Sequence, residues 1–270
     1  MPVSAGLEMR QPVIAPPLDK TAATARLNVM SAPRLFDRAV LRLSATDSGE
    51  DPAAFLQGLV TNDVTGDLPV WAGLLTPQGK AMFDFLVWQG EDGALLIDCE
   101  ADAADELAKR LSLYRLRRKI AIERDDALGA FWAADGEQGT ADPRLASLGR
   151  RWIGAVSKDD ADVGADWRAH RLALGVPEGR AELADTLWLE TNAADLNGVS
   201  FSKGCYIGQE NTARMNWRSK VNRRLVVVPL AASEEKRRKV GYEGLDLAVD
   251  HLRVSDIPAE VVPSWMTLDA

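Results

Sequence analysis

The chain has 270 residues, 46% of them hydrophobic and 27% charged, and a formal net charge of −8. At that length it can bury roughly 70–75% of its unfolded surface, so it needs no disulfide or metal to hold a core. The acidic balance argues against a general nucleic-acid binder, and no apolar run approaches the roughly 18 residues of a membrane helix.

Residues 1–33 carry Pro12, Pro16 and Pro17 without helical or strand periodicity, and read as a flexible extension. Met30 offers an alternative start, and a transit peptide fits less well because Glu8 and Asp19 interrupt it. Order begins at "RAVLRLSATD", a strand marked by Val40, Leu41 and Leu43. "DPAAFLQGLVTNDV" follows as a helix with Asp51 as N-cap and Pro52 at its first position. "AGLLT", "AMFDFLVWQ" and "ALLIDCE", joined by the turns "PQGK" and "GEDG", predict an antiparallel meander.

"DAADELAKRLSLYRLRRK" predicts a helix capped by Asp102, with Ala104, Leu107, Leu111 and Tyr114 on one face and its cations at the C-terminal end. Strands "KIAIE" and "ALGAFWAAD" come next, then a polar stretch to about Asp166, then a helix "DWRAHRLAL" stopped by Gly175 and Pro177. "LVVVPL" and two short strands around Gly244 close the chain. Runs of strands mixed with a few helices indicate an α+β fold. The boundaries are 1–33, a core over 34–224, and a short C-terminal β unit over 225–270.

Two cysteines, Cys99 and Cys205, form no disulfide framework, and a reducing, cytoplasmic compartment is expected. His170 and His251 lack ligand spacing to either, so no permanent metal is expected. Cys99 lies in an apolar strand and reads as filler. Cys205 is flanked by Gly204 and Tyr206, with Gly208 two residues further on and Lys203 in front; glycines on both sides permit close approach by another group. Lys203 and the downstream cations Arg214, Arg218, Lys220, Arg223 and Arg224 would favour a thiolate, which is a nucleophile and a soft metal ligand. The competing reading is an inert, buried thiol. A second basic cluster comprises Arg115, Arg117, Arg118 and Lys119. Phe201, Tyr206 and Trp217 could stack on a flat heteroaromatic ring, and Asp84 lies on the opposite strand face from Phe83 and Phe85.

"FSKGCYIGQE", preceded in order by "FLQGLVTNDV", "LLTPQGKAMFDFLVW", "YRLRRKIAIE" and "HRLALGVPEG", resembles the YgfZ family of folate-binding proteins. These are relatives of the GcvT aminomethyltransferases implicated in iron-sulfur cluster assembly and repair. The resemblance implies a ring-like arrangement of small α+β units around a tetrahydrofolate pocket, with Cys205 as the functional thiol and Lys203 beside it. It places further positions at Gln57, Asn62, Asp63, Gly79, Arg171, Glu190, Tyr206, Gln209 and Glu210. Asp84, Arg214 and Trp217 complete the folate candidates. The implied partners are folate, iron-sulfur proteins or their assembly factors, and tRNA, with no membrane.

Two departures weaken aminomethyl transfer. One acid, Asp84, stands where the transferases carry two, and Ala173 replaces a glutamate. Three functions follow as alternatives: a folate-binding accessory factor for iron-sulfur enzymes, a folate-dependent aminomethyltransferase, and a tRNA-contacting factor.

Overall fold

This computed structural model describes residues 31–217 and 221–268. The first strands are β1 (Pro33–Arg34) and β2 (Arg38–Ala45), followed by α1 (Pro52–Gln57), whose N-terminus is closed by the Asp51 carboxylate accepting from the Ala53 amide at 2.8 Å. The expected meander forms as β3 (Val70–Leu75), β4 (Ala81–Gln89) and β5 (Leu95–Glu100). Helix α2 spans Ala104–Arg115 and β6 spans Ile120–Arg124, giving an antiparallel five-stranded sheet in the order β3-β4-β5-β2-β6. Asp102 does not cap α2: a 3-10 turn over Ala101–Ala103 intervenes, and Ala103 occupies the cap without a side-chain bond.

Side chains alternate across this sheet, and both faces are buried. Leu41, Leu43, Phe83, Phe85, Val87, Ile97 and Cys99 pack beneath α1 and α2, with Leu107 and Leu111 of α2 pressed onto them. Val40, Trp71, Leu86, Trp88 and Leu96 point the other way into a second core.

That second core is closed by a second sheet. β7 (Leu128–Ala133), β8 (Thr140–Ala141), β9 (Arg150–Ala155) and β10 (Ala161–Asp162) join β1 in the order β10-β1-β7-β9-β8. Pairing of Pro33 with Ala161 brings the ordered chain one residue into the expected flexible extension, while residues 1–30 lie outside the described residues. Strand β9 lies in the stretch read as polar. Its Arg151 is turned inward and fully buried, which removes the alternation that marks a half-buried strand. Helices α3 (Gly164–Ala173), α4 (Arg180–Leu183) and α5 (Gln209–Trp217) follow. β11 (Arg223–Pro229), β12 (Arg238–Tyr242) and β13 (Leu247–Arg253) form a small sheet ordered β11-β13-β12.

The second core holds five buried tryptophans, Trp71, Trp88, Trp132, Trp167 and Trp188, around a cluster of charges. Glu178 receives Arg144 at 2.5 Å and the Trp167 indole N–H at 2.9 Å, with Arg38 at 3.7 Å and Arg171 at 4.0 Å. Arg38 and Arg151 both bind Asp98, Arg144 binds Asp142 through two nitrogens, and Arg171 binds Glu182 at 3.0 and 2.7 Å. Burial alone would raise the Glu178 carboxyl, but Arg144, Arg38 and Arg171 outweigh it and hold it well below the usual carboxylate range. Tyr242 of β12 donates its hydroxyl to Glu182, so all three sheets reach the cluster.

Glu178→Gln keeps the volume and removes the charge the arginines share. Leaving buried cations uncompensated should lower unfolding stability by about 3–5 kcal/mol, measured by urea denaturation.

Candidate functional site

The stretches 55–64, 74–80 and 201–211, far apart in sequence, meet around one loop. The loop 203–208 is anchored at both flanks. Tyr206 is buried in the second core, while Ile207 packs against the first. Between Lys203 and Tyr206 the chain rises to solvent, so Cys205 is exposed, and a side-chain carbon built on Gly204 would meet nothing within 4 Å. The Lys203 ammonium donates to the carbonyls of Val60 and Asn62, each at 2.7 Å, and lies 5.3 Å from the Tyr206 ring centroid. Burial draws this ammonium down to about 8, against the pull of Asp63. Lys203 thus latches the thiol loop to the exit of α1.

The other latch is a pair of glycines. Gly208 and Gly79 both have positive φ, 79° and 78°. A side-chain carbon on Gly208 would sit 2.5 Å from the Thr76 carbonyl oxygen and 3.0 Å from the Gly79 α-carbon. Asn211, one residue past the motif, donates to the Gln78 carbonyl at 2.6 Å and seats α5 on the same turn. Neither the glycine contact nor the role of Asn211 was readable from spacing.

Gln57 donates to Asp63 at 3.1 Å and accepts from the Val64 amide at 2.9 Å, and Asn62 donates to the carbonyls of Trp71 and Asn197. Asp63 accepts from the Thr65 hydroxyl and amide at 2.7 and 2.9 Å, and these bonds hold its carboxyl below the usual value. Asn62 and Asp63 line an open cleft of about 580 Å³ with Asp67, Val70, Pro143 and the half-exposed Phe201. Gln209 and Glu210 open α5, Arg214 lies on its exposed side, and Trp217 ends it at 74% exposure.

Three candidates lie elsewhere. Asp84 is 3% exposed and accepts from the Trp71 indole N–H at 3.2 Å and the Gly179 amide at 3.1 Å. It faces the second core, opposite Phe83 and Phe85 as expected, but on a buried face and not a solvated one. Burial, then the negative charges of Glu100 and Glu178, pushes its carboxyl up to about 7. Arg171 is committed to Glu182, and Glu190 pairs with His251 at 2.9 Å. The basic run is not a continuous surface strip either. Lys203 and Arg224 are buried, Arg224 pairs with Asp195 at 2.9 Å, and Arg218 and Lys220 lie outside the described residues. Cys99 is buried and its thiol is pushed up to about 12 by burial, in keeping with filler.

A tetrahydrofolate is the cofactor the resemblance implies. Asp84, Arg171 and Glu190 have their polar atoms engaged inside the protein, so they do not assemble around a ligand. The cleft at Asn62 and Asp63 fits the pterin end: it offers Asp67 and the second Asp63 oxygen as acceptors and Phe201 as an apolar wall. No cation lines it to meet an anionic tail, which would stay in solvent.

No family model matches the chain. Over 235 residues it is 34% identical to the Homo sapiens protein named iron-sulfur cluster assembly factor IBA57, mitochondrial, covering 72% of this chain and 65% of that one. The Mus musculus protein of the same name is 32% identical, with 73% and 65% covered, and a Neurospora crassa homolog is 28% identical, with 82% and 61% covered. The chain therefore spans somewhat under two thirds of the length of these relatives. Among solved structures, glycine cleavage system aminomethyltransferase T from Bartonella henselae matches with a TM-score of 0.60 at 10% identity, covering 83% of this chain and 78% of that one. The architecture is thus the mixed α+β fold of the GcvT aminomethyltransferases. The cytoplasmic expectation is corrected by the relatives, which are mitochondrial by name, and these relatives carry the IBA57 name and not the YgfZ label. No helix among the described residues is long and apolar enough to cross a membrane.

Gly208→Ala adds a side chain at positive φ against a carbonyl and should cost about 2–4 kcal/mol in urea denaturation, whereas Gly204→Ala should be nearly neutral. Asp84 makes a second, pH-dependent prediction. Its raised folded pKa favours the native state fully below pH 3.8, and that contribution is lost as pH rises through about 7. The stability of wild type relative to Asp84→Asn should therefore fall between about pH 4 and 7, followed as the urea midpoint at each pH.

Proposed function

We propose that this chain, similar over most of its length to IBA57-type proteins, is an iron-sulfur cluster assembly factor that acts through Cys205. The observation that carries the reading is the presentation of one solvent-exposed thiol on a loop anchored in both cores and latched by the Lys203 ammonium to the carbonyls of Val60 and Asn62. Clusters are held by several protein ligands, commonly four thiolates. Cys99 is buried, so this chain offers a single accessible thiol, and a cluster carried at Cys205 takes its other ligands from a partner. That suits transfer: a cargo held by a single ligand from this chain leaves by exchange of that one ligand, without this chain unfolding to release it. Lys203 acts as a positioning residue, fixing the loop to the α1 exit.

The finer reading adds a folate. In the 580 Å³ cleft Asp63 would accept from the ring's N–H donors, with Phe201 on its face. Bound there, the folate would supply a reduced ring and a one-carbon carrier. An aminomethyltransferase reaction is disfavoured, because Asp84 is buried with both oxygens accepting from the protein. A tRNA surface is disfavoured by the burial of Lys203 and Arg224.

In cells lacking their own factor, Cys205→Ser should fail to restore iron-sulfur enzyme activity while keeping the wild-type unfolding midpoint; full restoration would remove the thiol mechanism. For the folate, 5-formyltetrahydrofolate should bind in the micromolar range to wild type and to Cys205→Ser. Asp63→Asn should weaken it about ten-fold, the loss of one charged hydrogen bond. Absence of saturable binding would retire the folate and leave the thiol reading standing.

A further inference from the structure

The second basic cluster has no part in the function above. Helix α2 ends at Arg115 because the next residue, Leu116, turns to φ 52° and ψ −110°, a conformation that bulky side chains avoid. Its side chain is 87% exposed, and Leu113, three residues earlier, is 61% exposed. An apolar residue held in a costly backbone state and presented to water points to a contact surface. Beside it runs a groove of about 820 Å³ lined by Phe55 and Leu59 at the end of α1, Tyr114, Leu116 and the stems of Arg115, Arg117 and Arg118.

The rim is cationic on a chain of net charge −8. Arg118 is neutralised by Glu50, and Arg115 donates to the Ile120 carbonyl at 3.0 Å. Arg115 and Arg117 pair with no carboxylate among the described residues, and Lys119 shares Glu50 with Arg118, its amide donating to that carboxylate at 2.9 Å.

We infer that this groove docks an acidic amphipathic segment of another protein, its apolar side chain seated beside Leu116 over Phe55 and Leu59 and its carboxylates on Arg115, Arg117 and Lys119. Charge complementarity selects this occupant. A second copy meeting the same face across a two-fold axis would set these cations against one another. An anionic membrane suits a flat or convex apolar surface, not a groove on a strongly acidic chain. The groove also adjoins the thiol loop through the chain. Leu59 lines it, and the next carbonyl, that of Val60, accepts from Lys203. A segment docked here therefore lies against the α1 exit that anchors Cys205. The inference does not rest on the iron-sulfur reading.

The test uses the full chain and a fluorescein-labelled helical peptide of glutamates with leucines at i, i+3 and i+7, followed by anisotropy at low salt. The acidic peptide should bind saturably, while the same peptide with lysines for glutamates should not. Arg117→Glu with Lys119→Glu should weaken binding by about ten-fold or more, and added salt should weaken it further. Leu116→Gly should weaken binding while raising Tm, because glycine accepts the positive φ; this separates lost contact from lost fold. Equal binding of both peptides, no binding of either, or binding untouched by these substitutions overturns the inference. So do two other results: co-sedimentation with phosphatidylserine vesicles that depends on Leu116 while the peptide fails to bind, and a concentration-dependent dimer abolished by the same substitutions.

Discussion

The Glu178 cluster is the constraint on which the arrangement of the sheets depends. Arg38 comes from β2, Arg144 from the loop after β8, Arg151 from β9 and Arg171 from α3, while Tyr242 reaches Glu182 from the C-terminal sheet. Four arginines face Asp98, Asp142, Glu178 and Glu182, so the charges balance before Asp84 is counted. Burial, then the negative charges of Glu100 and Glu178, push this fifth carboxyl toward neutrality, and the pull of Arg38 and Arg144 does not offset them. The tryptophans around the cluster, with Arg144 and Arg151 over the Trp167 ring, complete the exclusion of water.

The same packing redistributes function among the residues. Asp84 of β4, expected as a folate contact, is sealed beneath Trp71 and Gly179. Chemistry is left to the rim, where Lys203, Gly208 and Asn211 hold a loop that exposes one thiol. Under the function proposed above, a sealed centre with an accessible thiol at its edge suits a factor that hands cargo to a partner more than an enzyme that encloses a substrate.

Much of this was legible in the sequence where one local rule decided the outcome. The nearly continuous apolar run "AMFDFLVWQ" indicated the strand, the alternation of Phe83, Asp84 and Phe85 its two faces, and Asp51-Pro52 the start of α1. The glycines around Cys205 suggested room for close approach, and the thiol is exposed. What stayed hidden depended on partners far along the chain. Arg151 lies in the stretch read as polar, and its partner Asp98 sits 53 residues away. The burial of Asp84 was hidden because Gly179, its donor, lies 95 residues away. Lys203 looked like a neighbour of the thiol alone, whereas its ammonium is spent on carbonyls of Val60 and Asn62. In each case a long-range ion pair or hydrogen bond overrode the local reading.

The contact between Gly79 and Gly208 bears on how such a chain can diverge. Most tight contacts can drift, because a larger residue on one side is offset by a smaller one on the other. Here each backbone touches the other and both residues are already the smallest available, so no compensating exchange exists. The two positions are locked together through descent. Any lineage that replaces either glycine must reshape the turn at residues 76–80 and the thiol loop in one step, or lose the seat of Cys205.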